Sequence, residues 1–162
     1  MLNIFKKLIP ALAIFMMLFT MACRKAILAP SRPSKAVLLD LVNNYRKASC
    51  TCGTVYYPPV NPVVWNDTLE LAAKDHSDDM DTKQYFSHTG SDGSNTGDRL
   101  SKYNYLFTTY GENIAEGYAN EQDVMLGWIK STGHCQNIMD GDFKEMGVAT
   151  KGKYWTQVFA AH

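Results

Sequence analysis

The sequence has 162 residues, with 16 Lys and Arg against 16 Asp and Glu, so its formal net charge is zero. No basic block occurs, which argues against nucleic acid or an acidic membrane surface as a partner. The length fits one domain that can bury a hydrophobic core, and no internal repeat or low-complexity segment divides it.

The N-terminal segment has the composition of an export signal. Lys6 and Lys7 supply positive charge, and an uncharged apolar run follows at residues 8–22. This run is shorter than about 20 residues, the usual length of a membrane-spanning helix. We therefore predict that the protein is exported, either to the cell envelope or out of the cell.

A lipoprotein-type cysteine follows the apolar run. Ala22 is a small residue directly before Cys23, which predicts cleavage between them and lipidation of the cysteine. The prediction divides the chain into a signal peptide at residues 1–22, a lipidated tether at residues 23–34 and one domain at residues 35–162. Ordinary cleavage, with the cysteine removed or left free, is the alternative.

Three further cysteines lie in the predicted domain: Cys50, Cys52 and Cys135. Disulfides persist in exported proteins, and an odd number of cysteines leaves one thiol unpaired within the domain. One residue separates Cys50 from Cys52, which is too close for a bridge between them, so we predict that Cys135 pairs with either Cys52 or Cys50. A zinc site built from all three and an intermolecular crosslink through the free thiol are the alternatives.

Two amphipathic helices are predicted in the first half of the domain. The first follows Ser34, a typical cap, and ends near residue 48; its apolar positions are Leu38, Leu41, Val42 and Tyr45. The second begins at Asp67, which forms a pattern like a capping box with Glu70. Its apolar face carries Leu69, Ala72, Ala73, His76 and Met80. We expect His76 to be a hydrogen-bonded core residue.

Turn-forming residues predict two loops, and a cluster of acidic residues predicts a solvated helix face. The prolines within residues 53–62 predict a loop or extended connection, and the Ser, Gly and Asn residues within 87–97 predict a second loop. The acidic residues Asp78, Asp79 and Asp81 are expected on a solvated helix face.

The second half of the domain is predicted to mix helices with strands. A short helix is expected at residues 98–103 and a strand near residues 107–110. Asn120 is expected to cap a helix whose buried face holds Val124, Met125, Trp128 and Ile129. Residues 145–150 and 154–160 are predicted to form a hairpin around Gly152. Helices first and strands late indicate the α+β class.

Six short blocks occur along the chain in a fixed order. They are Tyr85-Phe86-Ser87-His88, Gly111-Glu112-Asn113-Ile114-Ala115, Trp128-x-x-Ser131-x-Gly133-His134, Asn137-Ile138-Met139, Phe143-x-Glu145-x-Gly147-Val148 and Tyr154-Trp155-Thr156-Gln157-Val158-Phe159. Together they resemble bacterial members of the CAP superfamily (SCP-like domains), which groups cysteine-rich secretory, antigen 5 and pathogenesis-related proteins. The resemblance implies an α-β-α sandwich with a small central antiparallel sheet and a cleft around paired His and Glu side chains.

The resemblance also assigns candidate cleft residues. His88 matches the first histidine of the tetrad found in eukaryotic members, and Glu112 matches one glutamate. Ser131 stands in the place of the second glutamate, and Tyr154 stands near the place of the second histidine. We expect His134 to enter the same cleft and to replace the missing histidine.

A set made of His88, Glu112 and His134 allows three kinds of chemistry. It can bind a divalent cation such as zinc, exchange a proton with a substrate near neutral pH, or satisfy its own polar groups structurally. Ser131 lacks the Gly-x-Ser-x-Gly surroundings of a hydrolase nucleophile, so we expect it to be a hydrogen bonder at a helix end.

We predict a binding module that holds a small ligand, a lipid or an extracellular protein partner in this cleft, because no complete catalytic set is present. Tyrosines are candidates for the cleft wall: Tyr103, Tyr105, Tyr110 and Tyr118. The alternative is a metal-assisted hydrolase, such as a peptidase, that uses His88, Glu112 and His134. A purely structural extracellular domain is the third possibility.

Overall fold

The computed structural model describes residues 33–162. Its elements are α1 (Lys35–Lys47), β1 (Cys50–Cys52), β2 (Val55–Tyr57), β3 (Val64–Trp65), α2 (Asp67–Lys83), α3 (Thr96–Lys102), β4 (Thr109–Glu116), α4 (Glu121–Lys130), α5 (Thr132–Met139), β5 (Glu145–Lys151) and β6 (Tyr154–Ala161). They confirm the predicted α+β class. The predicted signal peptide and Cys23 lie outside the described residues. Within those residues, no helix is long and apolar enough to span a bilayer.

The central sheet has the strand order β3-β5-β6-β4. Strand β6 pairs antiparallel with β5 and with β4, and the turn between β5 and β6 contains Gly152 at a φ of 56°, as the hairpin prediction requires. Strand β3 differs from the predicted antiparallel arrangement, because it joins β5 in parallel. Strand β3 has only two residues, which is too few to show an alternation of buried and exposed side chains.

Helices cover both faces of the sheet. Every residue of β6 is buried, so its alternating side chains must contact a layer on each side. One layer is α2 with α3, and it packs on the sheet through Leu69, Ala72, Ala73, Leu100 and Val158. The other layer is α1, α4 and α5, and it packs through Leu38, Val42, Trp128, Ile138, Trp155 and Phe159. The result is the α-β-α sandwich that the family resemblance implied.

A glycine lets α2 lie directly on strand β5. A Cβ atom built at Gly147 would collide with the backbone of Leu69 and Glu70 at the start of α2. The helix begins at Asp67 as predicted, although the capping side chain is that of Asn66, which accepts hydrogen bonds from the amides of Thr68 and Leu69. The close packing fixes α2, and with it His76, against the sheet.

A buried arginine joins α1 to two segments that follow it in the chain. Arg46 is fully buried, and its guanidinium donates hydrogen bonds to the backbone carbonyls of Asn61, Ile138, Asp140 and Phe143. A buried cation needs such partners because its transfer out of water is costly. Arg46 therefore anchors the segment after β2 and the segment between α5 and β5.

Several predicted boundaries are wrong. Within residues 53–62, predicted as a loop or extended connection, strand β2 pairs with β1 as a short hairpin. Helix α3 begins two residues earlier than predicted, because Asn95 and Asp98 form a reciprocal capping box. Strand β4 runs to Glu116 and so includes the Gly-Glu-Asn block.

The disulfide prediction is confirmed. Cys135 of α5 is bonded to Cys52, and both are fully buried. Cys50 is the free cysteine of the described part of the chain.

Candidate functional site

Glu112 is the centre of the polar site. It lies on β4, the edge strand of the sheet, and its side chain is 4% exposed. One carboxylate oxygen, Oε1, accepts a hydrogen bond from Nδ1 of His88 at 2.8 Å. The other, Oε2, accepts from Oγ1 of Thr96 at 2.9 Å and from Nη2 of Arg99 at 2.6 Å. The carboxylate therefore joins β4 to α3 and to the loop that carries His88.

The surroundings of Glu112 keep its side chain charged. Burial alone would raise its pKa, but the hydrogen bond from His88 and the positive charge of Arg99 outweigh burial and lower the pKa below 4.5. These contacts support the third kind of role given above, in which the polar groups satisfy one another structurally. The same contacts orient the imidazole of His88.

His88 is the accessible member of the site. Its side chain is 58% exposed. Because Nδ1 donates its hydrogen to the Glu112 carboxylate, the neutral ring carries its lone pair on Nε2. This nitrogen can accept a hydrogen bond or a proton from a bound molecule.

The loop that carries His88 is held from two sides. Arg99 donates to the carbonyl oxygens of Ser94 and His88. Asp79 of α2 accepts from the amide and the hydroxyl of Ser91 and from the hydroxyl of Tyr85. Burial and Asp79 raise the pKa of Tyr85 to about 12. Asp79 thus keeps the partly exposed position expected for it and also braces this loop.

His76 lies beneath the loop, as a core histidine. It is 1% exposed, and its Nε2 lies 2.8 Å from the carbonyl oxygen of Ser87, so this nitrogen carries the hydrogen. Burial lowers the pKa of His76, which favours the neutral ring. The prediction of a hydrogen-bonded core residue is confirmed.

His134 belongs to the other side of the sheet. It lies on α5, and its carbonyl oxygen accepts a hydrogen bond from Asn113, which follows Glu112 on β4. Successive residues of a strand face opposite sides, so β4 directs Glu112 towards α3 and Asn113 towards α5. Burial, and then the charge of nearby His88, lower the pKa of His134. His134 therefore lies on the side of β4 opposite to the Glu112 carboxylate.

The predicted His88, Glu112 and His134 set does not fit a divalent cation in this arrangement. Within residues 33–162, the one group of three possible ligands whose atoms lie within 4.8 Å of one another is formed by cysteines. Both oxygens of Glu112 are already occupied by donors, and one of those donors is the cation of Arg99. A second cation there would be repelled by Arg99. Zinc binding at this set stays a prediction without geometric support.

The other two predicted cleft residues have different surroundings. Ser131 lies between α4 and α5, but its side chain makes no capping hydrogen bond, so its expected role as a hydrogen bonder at the helix end is wrong. Tyr154 is 2% exposed and packs with Met80 and Ile114. Its ring also stacks on that of Phe86. Through this contact Tyr154 supports Phe86, which lines the groove described next.

An apolar groove begins where His134 lies. It has a volume of about 300 Å³. Its lining residues are Phe86, Ile114, Ala115, Glu116, Tyr118, Gly127, Trp128, Ser131 and His134. Apolar walls with a few polar groups at one end are typical of sites for small ligands. Of the four tyrosines predicted as candidates for the wall, Tyr118 lines this groove.

A larger depression, of about 470 Å³, lies behind the His88 loop. It is lined by His76, by Arg99 and by several carboxylates. Those carboxylates already accept hydrogen bonds: Asp75 from Tyr103, Asp79 from Ser91, Asp92 from Ser94 and Asp98 from Asn95. The carboxylates of this depression are thus satisfied by the protein itself, whereas Nδ1 of His76 and Nε of Arg99 are buried without a hydrogen-bond partner.

Thr96 and Arg99 are site residues that the sequence did not reveal. They contact Glu112 from 16 and 13 residues away along the chain. Neither residue type forms a local pattern with Glu112. One consideration could have pointed to Arg99 from the sequence. A buried carboxylate needs a cationic partner, and Arg99 lies between the two blocks that carry His88 and Glu112.

We expect the substitution Glu112→Gln to lower the free energy of unfolding by about 3–5 kcal/mol at neutral pH, because it leaves Arg99 without its buried counter-charge. The folded pKa of Glu112 is depressed, so its stabilisation is present above the ordinary value of 4.5 and is lost as the pH falls through the folded pKa. Urea unfolding measured from about pH 7 to about pH 3 gives the free energy of unfolding of both proteins. We expect the difference in this free energy between variant and wild type to become smaller in acid.

Thr96→Val is the matched control for this experiment. It removes one donor to the same carboxylate, which should lower the free energy of unfolding by about 1–2 kcal/mol. The loss of stability in acid that comes from Glu112 should remain. A Glu112→Gln variant as stable as the wild type at neutral pH would contradict the assignment.

The comparisons with known proteins agree with this architecture. The model of the family described as the cysteine-rich secretory protein family (CAP) matches residues 39–159. Over 102 residues the chain is 33% identical to YkwD of Bacillus subtilis; these residues are 62% of this chain and 40% of that protein.

Two solved structures share the fold. One is an extracellular protein containing an SCP domain from Bacillus anthracis, with a TM-score of 0.70 at 29% identity; the match covers 78% of this chain and 40% of that chain. The other is an outer surface protein of Borrelia burgdorferi, with a TM-score of 0.67 at 20% identity, covering 83% of this chain and 99% of that chain. The chain thus spans well under two thirds of the two Bacillus relatives. Because the family model matches most of its length, the chain belongs to the cysteine-rich secretory protein (CAP) family.

Proposed function

We propose that this CAP protein is exported, is anchored through a lipid on Cys23, and works as a binding module for a small apolar ligand or a lipid chain. The observation that carries the proposal is the apolar groove beside His134. The groove ends at polar groups that can contact the head of such a ligand.

The walls of the groove favour an apolar molecule. Phe86 is 48% exposed although it is aromatic, and Tyr118 is 37% exposed. Burying such rings against a ligand is favourable, at about 25 cal/mol for each Å² of apolar surface removed from water. The volume lies at the lower end of the range for sites that bind small molecules.

His134 supplies a polar group to the groove. The lowered pKa of His134 favours an uncharged ring at neutral pH, and an uncharged imidazole can both donate and accept a hydrogen bond. His88 is held by Glu112 but is not among the residues that line the groove, so His134 is the histidine that can contact the ligand. A ligand with a hydroxyl or amide next to an apolar chain matches this arrangement.

We expect N-phenyl-1-naphthylamine, a neutral apolar fluorophore, to bind saturably and to be displaced by decanoate. Phe86→Ala should weaken binding about tenfold, because it removes apolar contact area from the groove. Fluorescence titration measures both effects, and circular dichroism checks the fold of each variant.

Leu106→Ala is the matched control for the groove experiment, because Leu106 is 81% exposed and does not line the groove. Its affinity should equal that of the wild type. Absence of saturable binding, or equal weakening by the two variants, would refute a ligand site in the groove.

A metal-assisted hydrolase stays a prediction that zinc can test. We expect the oxidised, metal-free protein to bind zinc no better than His88→Ala or His134→Ala variants, because Arg99 already neutralises Glu112. His162→Ala, which removes an exposed histidine elsewhere, is the control for surface binding. In calorimetry, one-to-one binding lost only in the His88 and His134 variants would favour the hydrolase instead.

Export and anchoring rest on the N-terminal sequence and on the relatives. The relatives include a protein described as extracellular and another described as an outer surface protein. The charged start, the apolar run and Cys23 match an export signal that ends at a lipidated cysteine. A single lipid gives marginal binding to a membrane, so further acyl chains on the same cysteine would be needed for a stable anchor.

We expect Cys23→Ala to move the full-length protein from the membrane fraction to the soluble fraction and to abolish labelling by a radioactive fatty acid. Cys50→Ala is the matched control, because it also removes a thiol but leaves the predicted lipid site unchanged. Labelling that persists in the Cys23→Ala variant would show that this cysteine is not the anchor.

A further inference from the structure

A free thiol lies against the disulfide of this protein. The sulfur of Cys50 is 3.5 Å from that of Cys135, which is bonded to Cys52. All three sulfur atoms lie within 4.8 Å of one another. The two ends of this cluster differ in exposure, since Cys50 is half-buried and Cys52 is fully buried.

The hairpin of β1 and β2 explains why both cysteines face Cys135. Cys50 and Cys52 are two residues apart on one strand, so their side chains point to the same face. The hairpin turn contains Gly53 at a φ of 65°, and a Cβ there would lie 2.8 Å from Oγ1 of Thr132. Thr132 is the first residue of α5, the helix that carries Cys135. The hairpin is thus packed directly on this helix.

We propose that Cys50, Cys52 and Cys135 form a thiol–disulfide exchange site. The thiol of Cys50 loses its proton to solvent, and the thiolate attacks the sulfur of Cys135. A bond forms between Cys50 and Cys135, the bond between Cys52 and Cys135 breaks, and its electron pair leaves on the sulfur of Cys52, which takes up a proton. The number of disulfides is unchanged, so no oxidant or reductant is consumed.

The exchange requires a side-chain movement. Displacement at sulfur proceeds along the axis of the bond that breaks, so the side chain of Cys50 must turn until its sulfur lies on that axis. Cys50 is on a short two-stranded hairpin outside the main sheet, and such hairpins depend on packing for stability. Movement of β1 therefore does not disturb the pairing of β5 with β6.

The two isomers differ in what they offer to other molecules. With Cys52 bonded to Cys135, the free thiol is at Cys50, a half-buried position that is more exposed than that of Cys52. With Cys50 bonded to Cys135, the free thiol moves to the buried position of Cys52. The exchange therefore switches the more exposed nucleophile on and off in the compartment where disulfides persist.

Mapping of the free thiol tests the proposal. The full-length protein is held without reductant at about pH 8, where thiolate is available, then acidified, denatured and alkylated with N-ethylmaleimide. Mass spectrometry of the peptides separates these sites from Cys23. We expect the label to divide between Cys50 and Cys52.

Two variants complete the test. Cys52→Ser should form the bond between Cys50 and Cys135 and carry no free thiol in the domain. Cys50→Ser is the control that keeps the bond between Cys52 and Cys135. Label confined to Cys50 in the wild type would overturn the proposal, as would two free thiols in a folded Cys52→Ser variant. If that variant does not fold, the label in the wild type decides alone.

Discussion

The buried carboxylate of Glu112 is the constraint on which the polar site depends. A carboxylate that is 4% exposed must be paired, because the loss of its hydration is otherwise too costly. Arg99, Thr96 and His88 supply the pairing. Thr96 and Arg99 attach α3 to β4, and His88 attaches the preceding loop. The carboxylate thus adds polar contacts to a helix that also packs through Leu100 and to a loop that Asp79 also holds, and it orients the exposed imidazole.

The same physical rule applies to Arg46 of α1. Arg46 is fully buried and is satisfied by four backbone carbonyls, one in the last turn of α5 and three in the connections at Asn61, Asp140 and Phe143. Those carbonyls need donors as much as the guanidinium needs acceptors. One charge on α1 thus stabilises the end of α5 and these connections. Glu112 and Arg46 thus show how single buried charges hold the long connections of a small α-β-α domain in place.

Local patterns predicted most of the fold. The starts of α1, α2 and α4 followed from short-range cap signals, and the β5–β6 hairpin followed from its turn and alternation. Strands β1, β2 and β3 were missed because two or three residues carry no period, and β3 in addition pairs with the distant strand β5. The pairing of Glu112 with Arg99 was missed for a related reason: it joins different elements across a turn of the chain. In contrast, His88 and Glu112 were predicted as one cleft, through family resemblance and not through any local pattern.

The geometry of Glu112 also limits the chemical roles that its carboxylate can take. Its lone pairs are used by His88, Thr96 and Arg99, so this carboxylate can orient a base but cannot itself receive a proton at neutral pH. An oriented histidine acts as a general base only when the proton that it removes, or a bridging water, lies within hydrogen-bond reach of its free nitrogen. The hydroxyl of the adjacent Ser87 instead accepts a hydrogen bond from the backbone of Thr89. The exposed imidazole of His88 is thus oriented by Glu112, while the ligand site that we propose is the separate groove lined by Phe86 and His134.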